Sequence, residues 1–200
     1  EGEDAEYMLS YLPEINQETY TVGGVYRHYS QRHVQSIVLS QSYLNNRNVK
    51  YRDNDESSEE NLTLRLGSIE QETKLRMENT SSWSVWKVKA GFDLNYSRYK
   101  SNEYRKVFAN ALREYDYHTD LSLWRWGMFA SVDYAAPDKS FTASMGVRTD
   151  GNNYSDKMKE LWRQLSPRLS VSYRLIEGLT LSGHVGLYYQ LPSYTALGFK

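Results

Sequence analysis

The chain has 200 residues, a formal net charge of −1 and 40% hydrophobic residues. That is enough for one domain or a piece of a larger one, without the basic excess expected of a nucleic-acid binder. It contains no cysteine, which excludes disulfides, zinc–thiolate sites and thiol nucleophiles. The mean hydropathy of −0.73 and the lack of any apolar run near the ~20 residues of a spanning helix exclude a helical membrane protein. A membrane-spanning β-barrel passes this test, because only every second residue of a strand must face lipid.

The acidic start Glu1-Gly2-Glu3-Asp4 has no apolar stretch behind it, so no signal peptide is read there and the chain is expected to be a mature product or a fragment. Residues 20–29 and 33–44 read as two strands joined by a short turn at 29–32. Their apolar parity is ambiguous, since Ser36-Ile37-Val38-Leu39-Ser40 is apolar on both faces. A polar link follows over 45–61. Its cluster Asp53-Asn54-Asp55-Glu56 offers hard oxygen ligands but not the Asp-x-Asp-x-Asp-Gly spacing of a calcium loop, so a solvated loop is the expectation.

Residues 62–77 read as a third strand whose parity switches. Leu62, Leu64 and Leu66 lie on one phase and Ile69, Leu75 and Met77 on the other, with Gly67 the natural place for a bulge. After a short turn at 79–82, residues 86–96 alternate strictly. Trp86, Val88, Ala90, Phe92, Leu94 and Tyr96 oppose Lys87, Lys89, Gly91, Asp93 and Asn95. The long link 97–119 carries a predicted helix at 103–115, with Val107, Phe108, Ala111, Leu112 and Tyr115 on one stripe.

A fifth strand starts near Thr119 and presents Trp124, Trp126, Met128, Ala130, Val132 and Tyr134 on one side. The tight turn 135–139 leads to a sixth strand at 141–150. The long link 151–164 carries a predicted Ser155-capped helix with Met158, Leu161, Trp162 and Leu165. The seventh strand places Leu169, Val171, Tyr173 and Leu175 against Arg168, Ser170, Ser172 and Arg174. The eighth, after the turn 176–178, runs to Tyr189.

Two regularities stand out. One side of the last five strands is free of charge in its middle and aromatic toward its ends. Short and long connections also alternate, as in membrane barrels with short periplasmic turns and long extracellular loops. The expected fold is therefore all-β, an antiparallel up-and-down meander of about eight strands forming part of a larger transmembrane β-barrel. Candidate lipid-facing residues are Trp86, Phe92, Trp124, Trp126, Met145, Tyr173 and Tyr189. Candidate lumen-facing polar residues are Arg125, Asp133, Arg148, Asp150, Arg168, Arg174 and His184. Ion-pair ladders between strands are the first expectation for these; contact with a plug or an anionic ligand is the second.

The four histidines form no H-x-x-x-H pattern, Gly23-Gly24 is too short for a phosphate loop, and no serine sits in a nucleophile elbow. No enzyme activity, metal or cofactor is expected.

The motifs over 121–199 carry a resemblance. Met145-Gly146-Val147-Arg148-Thr149-Asp150-Gly151-Asn152 resembles the G-x-R-x-D strand end of TonB-dependent outer-membrane receptors. Leu165-Ser166-Pro167-Arg168-Leu169-Ser170-Val171-Ser172-Tyr173 is similar to their returning strand. The next strand, from Leu179 through Tyr188-Tyr189-Gln190-Leu191-Pro192, and the preceding one from Trp126 to the Pro137-Asp138 turn resemble the same family. The phrasing is nearest to members carrying a carboxypeptidase-regulatory-like domain.

The resemblance implies a 22-stranded barrel filled by an N-terminal plug and energised through TonB. This sequence shows neither plug nor TonB box, and it ends at Gly198-Phe199-Lys200 without a closing aromatic. It is expected to be an internal barrel fragment spanning 1–200. Its expected partners are outer-membrane lipid, the remaining barrel and plug, TonB through the absent part, and a small ligand of unknown identity. Two alternatives remain from the residues alone. One is a complete eight-stranded barrel, whose narrow lumen the Gly and Ser of the polar side would fill poorly. The other is a soluble β-sandwich binding module.

Overall fold

The computed structural model describes residues 12–108 and 112–198. Eight strands form one sheet in sequence order, each antiparallel to the next. They are β1 (Glu14–Tyr29), β2 (His33–Tyr51), β3 (Leu62–Trp83), β4 (Trp86–Phe108), β5 (Leu112–Ala135), β6 (Phe141–Asn152), β7 (Ser166–Ile176) and β8 (Leu179–Gly186). β1 and β8 do not pair with each other, so the sheet is open. No second sheet covers either face among the described residues. The described residues thus form neither a closed eight-stranded barrel nor a two-layer sandwich.

The register carries the sequence alternation across the sheet. On one face the β4–β5 pairs run Trp86 with Tyr134, Val88 with Val132, Ala90 with Ala130, Phe92 with Met128, Leu94 with Trp126 and Tyr96 with Trp124. β6 and β7 continue this face with Val147, Met145, Ala143, Leu169, Val171 and Tyr173. β3 and β2 extend it the other way through Leu75 paired with Leu39 and Met77 with Ile37, which resolves the ambiguous parity of β2. Because no other described element packs on this apolar face, Met145 and Val185 are 64% and 67% exposed.

Four short connections lie at one end of the sheet. β1 and β2 are joined through residues 30–32, β3 and β4 through Ser84 and Val85, β5 and β6 through 136–140, and β7 and β8 through Glu177 and Gly178. Gly178 takes a φ of +84°, a conformation that glycine adopts without a Cβ clash in a two-residue hairpin turn. In the 136–140 turn the Ser140 backbone N–H, and secondarily its hydroxyl, hold the Asp138 carboxyl below its ordinary pKa. The turn expected at 79–82 lies further along, because Ser81 still pairs with His33 and Trp83 with Trp86.

Four other expectations are corrected. The helix expected at 103–115 is strand: Ser101 pairs with Thr119, Asn102 with His118 and Lys106 with Glu114, as β4 and β5 run on together. A one-stripe helix there would have no surface to bury, whereas the ladder gives the backbone of β4 and β5 a partner along this whole stretch. Residues 109–111 of that segment lie outside the described residues, as do the acidic start and Phe199-Lys200. The long links shrink accordingly, the first to 52–61 and the one expected over 97–119 to the three residues 109–111.

Gly67 makes no bulge. It pairs in register with Arg47 and Asn102, and the apolar residues simply change faces along one continuous strand. The Ser155 helix is a single turn, α1 (Asp156–Lys159), followed after Glu160 by a 3-10 turn at Leu161–Gln164. The Leu161 carbonyl accepts a hydrogen bond from Thr149 Oγ1, and Trp162 is 76% exposed.

β8 also ends early, at Gly186, so Tyr189 lies beyond the strand. Opposite that point stands Pro167, whose carbonyl accepts a last bond from Leu187 N–H at 3.0 Å. Proline has no N–H to return, and the ladder stops. The chain then reaches a short helix, α2 (Tyr194–Gly198).

Candidate functional site

The polar face gathers the charged side chains that the strands alternate away from the apolar one. Arg125, Asp133, Arg148, Asp150, Arg168, Arg174 and His184 all lie on it by register. Trp86, Phe92, Trp124, Trp126, Met145 and Tyr173 lie on the opposite face; Tyr189 lies on no strand.

Two networks form. In the first, Arg125 Nη2 on β5 contacts Glu72 Oε1 on β3 at 2.6 Å, across the intervening β4. Glu72 also pairs with Lys74 and accepts a hydrogen bond from the Tyr194 hydroxyl. Ser97, only 1% exposed, sits at the centre, its Oγ 2.8 Å from the Tyr194 hydroxyl and 3.2 Å from Glu72 Oε1. Tyr194 comes from α2, so the segment after β8 crosses back over the polar face to β3–β5. Its ring stacks on Tyr99 at 6.2 Å, Leu197 is buried, and the Leu197 carbonyl accepts from Tyr154 Oη at 3.0 Å. Burial first, and the Glu72 carboxylate second, push the Tyr194 phenol up to about 12.

The second network centres on Arg148, which bonds Asp150 through Nε and Nη2 and Asp93 through Nη1 at 2.7 Å. Arg76 joins Asp93 at 3.2 Å and Glu78 at 3.0 Å, and Lys89 reaches Glu78 at 3.5 Å. Glycines make room for these groups. A Cβ at Gly127 would lie 2.5 Å from Asp150 Oδ1 and 2.7 Å from Arg148 Nη2. One at Gly91 would strike the Phe129 ring, over which Arg76 stacks at 4.5 Å.

Not every predicted residue joins a network. Asp133 accepts from Ser144 at 2.5 Å. Arg174 is turned to the Lys139 carbonyl at 2.7 Å and braces a turn. Arg168 stacks over Tyr188 at 4.7 Å. Glu72, Lys74, Arg76, Glu78 and Tyr194 were missed. The first four repeat at every second position of β3, a charge stripe of which Glu72, Lys74 and Arg76 already fall within the strand read over 62–77 and only Glu78 lies beyond it. Nothing local marks Tyr194. Among the described residues no group of three or more His, Asp or Glu side chains is placed to hold a metal ion.

Comparison with known proteins agrees with this architecture. A family model described as TonB dependent receptor-like, beta-barrel, matches residues 2–200. No curated protein matches the sequence. Among solved structures the chain is similar to the copper transporter OprC, with a TM-score of 0.65 and 14% identity, over 90% of this chain and 32% of that one. At that identity the likeness concerns the fold alone, and the chain spans about a third of that structure.

Proposed function

The chain belongs to the TonB-dependent receptor-like β-barrel family, and we propose that it forms a section of the wall of an outer-membrane receptor that imports a scarce ligand with energy passed from TonB. The apolar face meets lipid and the polar face meets the barrel interior. The short-turn end is periplasmic and the long-loop end extracellular. Plug, TonB contact and remaining strands belong to the rest of the receptor. The ligand is a small molecule whose class the described residues do not select. Chemistry on the ligand is no part of this reading.

One observation carries it: an exposed, uncovered face without a charge, bounded by aromatic pairs. Trp86 and Tyr134 pack at 4.8 Å at one rim, and Tyr96 and Trp124 at 4.8 Å at the other. Ten residue steps separate the rims, about 33 Å along a strand and about 25 Å in height at the usual tilt, which is the apolar band of an outer-membrane barrel. A soluble protein would leave this area of apolar surface in water, which monomers avoid. On the other face, contacts between side chains two strands apart, such as Arg125 with Glu72, are what the concave side of a curved sheet brings about.

Quenching by brominated lipid tests the assignment in the complete receptor reconstituted into bilayers. Single-tryptophan variants retaining Trp86 or Trp124 are expected to be quenched, and one retaining Trp162 is not. A Trp86 that is insensitive to brominated lipid but quenched by aqueous iodide rejects the reading.

A further inference from the structure

Between β5 and β8 the polar face contains a hollow of about 590 Å³ that the ion-pair networks do not fill. Arg76, Lys89, Arg148 and Arg168 line it, with His184, and no carboxylate does. The acids that pair with three of those cations, Glu78, Asp93 and Asp150, stand outside the lining. Arg168 makes no ion pair among the described residues; its only charge-sensitive contact there is the Tyr188 ring beneath it.

The backbone explains the space. Arg168 pairs with Gly146 on one side and Gly186 on the other, so neither directly paired residue places a side chain beside it. A Cβ on Gly186 would lie 3.2 Å from Arg168 Cγ and crowd it. Ser131 and Ser170 line the hollow with hydroxyls that have no hydrogen-bond partner among the described residues. Tyr188 belongs to the segment after β8, so the same crossing that seats Tyr194 also pins Arg168.

We propose that this hollow is a binding site for an anionic group, a carboxylate or a phosphate, held by Arg168 with the Ser131 and Ser170 hydroxyls. A guanidinium offers paired donors in the geometry that carboxylate and phosphate accept. Glu78, Asp93 and Asp150 compensate the other three cations, which leaves the Arg168 charge unpaired and facing the hollow, where an anion would satisfy it. The size admits more than a bare ion, within the range of small-molecule sites. The proposal rests on the polar face being the barrel interior. Two sources share the chemistry: an acidic side chain of the segment that fills the barrel, or a free anion moving through it.

The complete receptor in detergent, titrated calorimetrically with inorganic phosphate and separately unfolded in urea with the plug followed by hydrogen exchange, distinguishes them. If the source is a free anion, phosphate binds, and Arg168→Gln weakens it about tenfold or more, with Arg168→Lys recovering part of the loss. If the source is a plug carboxylate, phosphate does not bind, and Arg168→Gln lowers the urea midpoint for plug exposure, again partly recovered by lysine. If Arg168→Gln changes neither, while Trp86 remains quenched by brominated lipid, the anion site is refuted and the face assignment stands. Loss of that quenching refutes the face assignment itself, and the anion site with it.

Discussion

At the scale of single residues, the polar face depends as much on missing side chains as on charged ones. Phe129 can lie beneath Arg76 because Gly91 opposite it has no Cβ. An added methyl there would meet Phe129 Cζ at 2.4 Å and the Met77 carbonyl at 2.6 Å. The carbonyl is held in the ladder and cannot give way. Gly91→Ala is therefore expected to destabilise the receptor by about 1–3 kcal/mol, the usual cost of overpacking. Gly183, on the open apolar face, has nothing within 4 Å, so Gly183→Ala should be close to neutral. Paired thermal melts of the two variants in detergent check this; equal losses would show that β-strand glycines matter here for reasons other than space. The glycines are plain in the sequence, but which of them guards a ring and which faces open space depends on cross-strand register.

At the scale of elements, the three central strands and the α2 crossing set the working surface. β3, β4 and β5 have 22, 23 and 24 residues, about twice the ~9–11 that crossing a bilayer needs. Their outer halves stand as a ribbon beyond the aromatic rim, where Asp120 is held below its ordinary pKa by Arg98 first and then Lys100. α2 is tied to these strands by the Tyr194 phenol, by its stack on Tyr99 and by the Thr119 hydroxyl, which donates to the Gly198 carbonyl at 3.4 Å.

The Tyr194 phenol is raised to about 12 when docked, against about 10 for a free tyrosine. The docked state thus holds its proton more tightly than the released one. Docking is fully favoured below pH 10 and weakens as the pH rises from 10 to 12. A spin label on Ser193 of the complete receptor is expected to gain mobility across that window. Tyr194→Phe should remove the pH response and leave the label more mobile at neutral pH. A label equally immobile in both proteins would show that Leu197 and the Tyr99 stack alone hold the crossing.

At the scale of the whole molecule, the sheet is open and its outer strands lack neighbours. β1 is exposed along all 16 residues, and its outer edge, like that of β8, offers a row of unpaired backbone groups. Within a receptor those edges continue into further strands. Produced alone, the 200-residue chain is expected to associate edge to edge in detergent, which sedimentation measures directly. A monodisperse monomer would mean that the edges close or shield themselves.

Alternation of apolar and polar residues is a local property of a strand with period two, so the sequence by itself determined the all-β class, the two faces of the later strands, the short turns at one end, and the motifs that resemble the receptor family. It could not determine how far a strand runs once its apolar face has ended. The helix expected at 103–115 became strand because β4 and β5 complete each other's hydrogen bonds, a non-local gain that a local stripe does not reveal. The tertiary structure alone decided which charges meet. Arg125 finds Glu72 and Arg148 finds Asp93 across intervening strands, Tyr194 lands more than ninety residues from Tyr99, and Arg168 is left between two glycines without an acid. Each of these contacts depends on register between strands distant in the chain, and that register is fixed only when the sheet assembles.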